Sequence, residues 1–329
     1  MLYKRKPLAI LLAALLLTAT LICGCSKPVK EDKSDEQPFT PYASVNFIDL
    51  SFGESVFILF SDGKTMLIDC GRNQEDGDKI IEYIEKFNAT IIDYLVLTHP
   101  DGEHVGGAER VISELGVRKA FIPKISGDLL SLFPSYHAAV TALEEGEVET
   151  IKSQSCKFIK GDDYGVVFLS PVSGDNDPYK EFNLTDSPTQ KQADNLSPII
   201  YLYMDGVRFL FTGDALSGQE KAVLDNYECG FYKAFGENVG IEIDLFGLDF
   251  LKVSSGGSNG ATTSAFAYKL RSENAVVFCG DGRYPENGVI HNLWSANNDY
   301  YLWRTDVYGT VSVKIDGKGL YTVITEKEQ

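Results

Sequence analysis

Positive charge and histidine are the scarce commodities of this 329-residue chain. Thirty Lys and Arg stand against 47 Asp and Glu, a formal net charge of −17, and there are only four histidines. Beyond the N-terminal segment no basic run exceeds two residues. A surface of that sign repels phosphate backbones at long range, so stable nucleic-acid binding is not expected. Nucleic acid as a transient substrate remains open. Six cysteines are present, and none shares a Cys-x-x-Cys spacing, which leaves a structural zinc knuckle without support. The chain is also long enough to fold without disulfides, so Cys70 and Cys279, each ending an apolar run, read as buried free thiols. No internal repeat of solenoid period occurs. Only one long apolar run exists, 15 residues over positions 8–22, which is short for a membrane span.

That run follows Lys4-Arg5-Lys6 and ends in Ile22-Cys23-Gly24-Cys25-Ser26. A basic start, a short apolar core and a small residue before cysteine are similar to a bacterial lipoprotein signal, with Cys25 as the lipid anchor. An ordinary secretory cut nearby is the alternative. Two acyl chains on Cys25 would give stable membrane attachment where one would not. The division expected is therefore a signal peptide (1–24), a charged flexible tether (25–41) and one large domain (42–329), displayed on the outer face of the cell membrane. Losing Lys4, Arg5 and Lys6 with the signal takes the formal charge from −17 to −20.

What the chain does have is a dense polar turn. The run Ile91-Ile92-Asp93-Tyr94-Leu95-Val96 predicts a buried strand. It leads into Leu97-Thr98-His99-Pro100-Asp101-Gly102-Glu103-His104-Val105-Gly106-Gly107, which holds half of all the histidines and two carboxylates within six residues. Imidazole nitrogen and carboxylate oxygen are the donors that zinc, manganese or iron accept. A solvated turn that happens to contain histidine is the competing reading. The other two histidines, His137 and His291, fall in segments that predict ordinary helices.

His99-Pro100-Asp101-Gly102-Glu103-His104 resembles the His-x-His-x-Asp-His signature of the metallo-β-lactamase superfamily, and more closely its branch in ComEC-type competence proteins. The resemblance extends to Val45–Ser55, to Asp62–Gly71 with its Leu67-Ile68-Asp69 strand end, to Phe209-Leu210-Phe211-Thr212-Gly213-Asp214, and to Arg304-Thr305-Asp306 with Gly309-Thr310. It implies an α/β fold, the αββα sandwich. It further implies metal ligands at His99, Asp101, Glu103, His104 and Asp214. His99 and Asp101 would face one metal position, Glu103 and His104 another, and Asp214 would lie between.

The departures are as informative. Glu103 stands where the family has aspartate. Ser254-Ser255-Gly256-Gly257-Ser258 stands where the branch has paired histidines, and Arg283-Tyr284-Pro285-Glu286 lacks a late histidine. The resemblance therefore implies a reduced centre with one divalent ion, zinc or manganese. Glu103 would reach inward as a ligand or serve as general base, and Asp214 would share the catalytic work. Ser254–Gly260 is expected as a loop, either closing over the pocket or simply stripped of ligands. Two functions remain in view: a surface-anchored hydrolase of phosphodiester or other ester bonds, DNA-uptake-related by resemblance, or an inactive scaffold, without need of metal, that binds a ligand or protein at the cell surface.

Overall fold

The computed structural model describes residues 43–174, 177–280, 282 and 284–328. The signal, the tether, Cys25 and Arg283 lie outside the described residues. Two mixed sheets face each other. The first contains β1 (Ala43–Phe47), β2 (Val56–Leu59), β3 (Thr65–Ile68), β4 (Ile91–Val96), β5 (Gly116–Ile122) and β6 (Glu149–Lys152). The second contains β7 (Phe158–Lys160), β8 (Tyr164–Phe168), β9 (Ile200–Met204), β10 (Val207–Phe211), β11 (Phe250–Lys252), β12 (Asn274–Val277) and β13 (Tyr301–Arg304). The chain then returns to the first sheet with β14 (Val311–Ile315) and β15 (Tyr321–Thr325), giving the orders β15-β14-β1-β2-β3-β4-β5-β6 and β13-β12-β11-β10-β9-β8-β7.

Side-chain alternation along each strand builds the layers. On β10, Val207, Phe209 and Phe211 point between the sheets, while Leu210 points to the outer helices. On β4, Val96 joins the inter-sheet core and Ile92 and Leu95 join the layer of helices Gln74–Glu85, Ala108–Glu114 and Pro134–Glu145. The second sheet is covered by Ser217–Glu228, Phe231–Val239, Ser264–Leu270 and Asn287–Ala296. The result is the αββα sandwich.

Each sheet changes hand of pairing once, and that decides where chemistry can gather. β3, β4, β5 and β6 run parallel, whereas β1, β2 and β3 pair antiparallel. In the second sheet β10 to β13 run parallel and β7 to β10 antiparallel. Parallel neighbours end on the same edge, and loops at carboxyl ends of strands are where open α/β sheets hold ligands. Here the carboxyl ends of β3 and β4 meet those of β10 and β11 across the sandwich. His137 and His291 lie on the outer helices Pro134–Glu145 and Asn287–Ala296, as their sequence context predicts. Cys70 and Cys279 are buried free thiols, and Cys229 is exposed.

Candidate metal centre

Asp69 leaves β3 with φ 61°, a left-handed backbone that is unusual for any residue but glycine. Its carboxylate repays the strain. It accepts the Thr98 backbone N–H (2.8 Å), the Thr98 hydroxyl (2.7 Å) and His104 Nδ1 (2.7 Å). These bonds clamp the end of β4 to the end of β3. Asp101 then caps the short helix Gly102–Val105, accepting the Glu103 N–H at 3.1 Å, and that turn rotates His104 inward. Gly106 is obligatory just beyond, because a Cβ there would come within 1.7 Å of the Arg72 carbonyl oxygen. From β10 the chain turns at Gly213 (φ 48°) and presents Asp214, whose N–H donates to Ser197 Oγ at 3.1 Å. Ser197 Oγ in turn lies 3.1 Å from His99 Nδ1, and Thr98 Oγ1 lies 3.0 Å from the same nitrogen.

One ligand atom from each of His99, His104 and Asp214 lies within 4.8 Å of the others, and all three residues are buried. The δ nitrogen of each ring is already held, yet His99 Nε2, His104 Nε2 and Asp214 Oδ1 have no hydrogen-bond partner. His104 Nε2 approaches Asp214 Oδ1 only to 3.5 Å. Buried polar atoms are almost always paired, so three orphans in one place call for an occupant. Two imidazoles and a carboxylate, with one imidazole backed by a second carboxylate, match the donor set and the outer hydrogen bonding of a catalytic zinc or manganese position. The residues present therefore fit a divalent ion.

Beside this triad lies a fixed cation. Lys252, at the end of β11 and 3% exposed, forms an ion pair with Glu54, donates to the Gly213 carbonyl at 2.8 Å, and stands 4.0 Å from Asp214 Oδ1. The electrostatics follow from these neighbours. Burial and the adjacent His104 lower His99 to about 4. Burial opposes the charge on His104 too, but Asp214 and Asp69 outweigh it and hold His104 well above its usual value. Burial likewise opposes ionisation of Asp214, and His104, His99 and Lys252 together keep its carboxyl below the ordinary range. Glu54 is raised by burial despite Lys252 and His104. Asp194 is raised to about 7, by burial and by the charge of Asp214.

The sequence-expected residues thus divide. His99, His104 and Asp214 come together. Asp101 turns its carboxylate to the helix cap and to Gln190 Nε2 at 2.5 Å. Glu103 is half-buried on the short helix and supplies no atom to the triad, while its backbone carbonyl accepts the Glu54 N–H. The expected loop at Ser254 is instead a tight buried turn, Ser254–Gly257, in which Ser255 (φ 51°) and Gly256 (φ 57°) are left-handed. It is tied down by Ser255 N–H to the Gly213 carbonyl (3.1 Å) and Ser254 Oγ to the Ala215 carbonyl (2.6 Å). Ser255 Oγ reaches Asp214 Oδ2 at 3.4 Å. Lys252, Glu54, Asp69, Ser197 and Asp194 are neighbours that motif reading did not assign. A lone lysine in the apolar run Phe250-Leu251-Lys252-Val253 was the signal for the first.

The metallo-β-lactamase superfamily profile matches residues 49–169. The chain is 25% identical over 300 residues to ComE operon protein 3 of Bacillus subtilis (strain 168), covering 85% of this chain and 34% of that protein. It therefore spans about a third of that relative's length. Among solved structures it is similar to CmlA, a diiron β-hydroxylase from Streptomyces venezuelae, with TM-score 0.47, 14% identity, and coverage of 85% of this chain and 55% of that one. It is also similar to Igni18, a metallo hydrolase from Ignicoccus hospitalis, with TM-score 0.45, 14% identity, and coverage of 83% and 99%.

Proposed function

We propose that this chain, whose residues 49–169 belong to the metallo-β-lactamase superfamily and whose likeness runs to the ComEC-type branch, is a hydrolase of phosphodiester or other ester bonds that works with one divalent ion. The observation that carries the reading is the set of three partnerless buried atoms, His99 Nε2, His104 Nε2 and Asp214 Oδ1. Leaving one such atom unsatisfied costs about 1–3 kcal/mol, and a bound cation removes that cost at all three. A divalent ion there supplies Lewis acidity and an acidified water. The chain's own contribution is orientation. Asp69 fixes the His104 ring, Ser197 and Thr98 fix His99, and Lys252 offsets the negative charge of Asp214.

A single ion is favoured because Ser255 and Gly256 offer no imidazole and Lys252 already places a positive charge 4.0 Å from Asp214 Oδ1. The same two residues favour the second reading, a scaffold that binds without turning over. Among the described residues no helix is long and apolar enough to cross a membrane. Attachment through a lipid on Cys25 is part of the proposal, and Cys25→Ala should then move the protein out of the membrane fraction.

Elemental analysis of purified protein, with turnover of a chromogenic phosphodiester, tests the function. The expected result is no more than one tightly held zinc or manganese per chain, slow metal-dependent hydrolysis, and no β-lactam turnover of note. No metal uptake even with excess zinc or manganese would leave the scaffold reading. Two equivalents at near-stoichiometric supply would overturn the single-ion centre.

A further inference from the structure

β6 and β7 each end their sheet, and residues 153–157 carry the chain from one to the other. Beside this crossing a cavity of about 360 Å³ opens between the sheets. Tyr94, Phe121, Ile151 and Ile159 give it an apolar floor that is continuous with the inter-sheet core. Lys119, Lys157 and Lys160 also line it, and none of its nine lining residues is acidic. In a chain of net charge −17 this is a local reversal of sign. We propose that the cavity binds a small organic anion with a flat apolar body, an aryl carboxylate in chemical class, its charge held between Lys119 and Lys157. No lining residue belongs to the metal centre, so the proposal stands apart from the hydrolase reading.

Lys119 is the first argument. On β5 it stands two residues from Phe121, so alternation turns both toward the space between the sheets, where an apolar side chain is the ordinary choice. Its ammonium pairs with Glu149 at 3.0 Å, but that carboxylate is 62% exposed and lies outside the lining. So exposed a pair contributes little and yields readily to a better-placed anion. Lys157 is the second. It approaches from the other sheet's side and forms no ion pair among the described residues. Two ammonium groups in one cavity repel, and an anion between them reverses the sign of that interaction. Lys160 is already engaged, donating to the Val239 carbonyl at 3.1 Å, and stays at the flank. Lysines on open strand edges also guard against pairing with other chains, which accounts for those beside β7. It does not account for Lys119, because β5 is flanked by β4 and β6. Size is the third argument. Ligand clefts run from about 300 to about 1,000 Å³, and 360 Å³ at the small end of that range suits one compact aromatic body over Tyr94 and Phe121.

Titration of the purified full chain with 1-naphthoate, read by NMR at the isoleucine methyl groups, decides the point. Naphthoate should shift the Ile151 and Ile159 methyl signals saturably. The neutral 1-naphthalenemethanol has the same body without the charge, and should bind the same place about tenfold or more weakly. Lys119→Gln and Lys157→Gln should each weaken naphthoate by about tenfold, the worth of one hydrogen bond to a charged group. Both variants should bind the alcohol as wild type does, which also shows that the cavity has kept its fold. Lys318→Gln, exposed in the turn between β14 and β15, should change neither affinity. If naphthoate leaves both methyl signals unmoved, the cavity is not a binding site for such anions. If alcohol and carboxylate bind wild type equally well, the lysines do not recognise charge and the proposal falls, whatever the variants do. A loss in Lys318→Gln as large as in the cavity variants would reduce the effect to net charge and overturn it as well.

Discussion

The two histidines of the centre lie 4.2 Å apart, ring centre to ring centre, and are equally buried, yet their surroundings drive them in opposite directions. His104 sits between two carboxylates, Asp69 at 2.7 Å and Asp214 at 3.5 Å, which outweigh its burial and push its pKa well above the usual imidazole value. His99 faces two hydroxyls, Thr98 and Ser197, and is lowered to about 4 by burial and by His104. Burial alone does not set the behaviour of a buried imidazole; the anions in contact do. The His104 flank is closed on every side by strand ends, with Glu54 and Lys252 forming its floor. The His99 flank opens onto the short helix Gln190–Asp194, whose groups are partly exposed. One side holds the charge, and the other is free to adapt to what binds.

The largest effect should come from breaking the closed flank. Lys252→Met leaves Glu54 buried without its cation, and removing one partner of a buried ion pair costs about 3–5 kcal/mol. Denaturant unfolding should show that loss, and Glu54→Gln with Lys252→Met should recover most of it. An unchanged midpoint in the single variant would mean that the pair does not hold the floor. Asp69→Asn should be milder. It keeps a partner for His104 Nδ1 but removes the charge, and such outer partners are worth about 10–100-fold in metal affinity. In metal-free protein the same change should bring the raised His104 pKa down, toward that of His99, which an NMR titration of the ring protons would follow. Were His104 to titrate as before, Asp214 alone would account for the contrast between the two rings.

Much of the closed flank was legible in the sequence. The strand Ile91–Val96 and the paired glycines announced the turn that carries His99 and His104, and Thr212-Gly213-Asp214 announced its counterpart. The sandwich itself came from the resemblance of ordered motifs, because strands buried on both faces, such as Tyr164–Phe168, read as unbroken apolar runs and carry no alternation of their own. The open flank was not legible. Asp194 belongs to a five-residue helix in a polar stretch, where no hydrophobic period distinguishes an inward acid from a solvated one. Lys252 was visible as a charge in an apolar strand, but its partner Glu54 lies far away in sequence. Asp101 shows the reverse limit. Its place in the motif suggests a ligand, yet an aspartate before a short helix is also its best cap, and spacing cannot separate the two roles. Composition failed at Ser254–Gly257 for a similar reason. Serine and glycine are what a mobile loop contains, and also what a tight left-handed turn requires.

That turn gives the smallest expected effect and the sharpest test of asymmetry between the flanks. The branch's paired histidines correspond to Ser255 and Gly256, but the two positions are not equivalent in space. Ser255 already holds φ 51° with a side chain, and its Oγ points to Asp214 Oδ2 at 3.4 Å. Histidine is among the residues that tolerate this backbone region. Gly256, at φ 57°, has no side chain now, and any there would meet the ordinary left-handed cost of about 1–2 kcal/mol. Ser255→His should therefore fold and gain a few-fold in metal affinity, whereas Gly256→His should lose stability with no such gain. Lys252 caps the benefit, because its ammonium stays 4.0 Å from the Asp214 oxygen that any second ion would need. Metal content of Ser255→His should consequently remain at one equivalent, rising toward two only when Lys252→Met is added. A second equivalent in Ser255→His alone would show that ligand loss, and not the resident lysine, keeps this flank to a single ion.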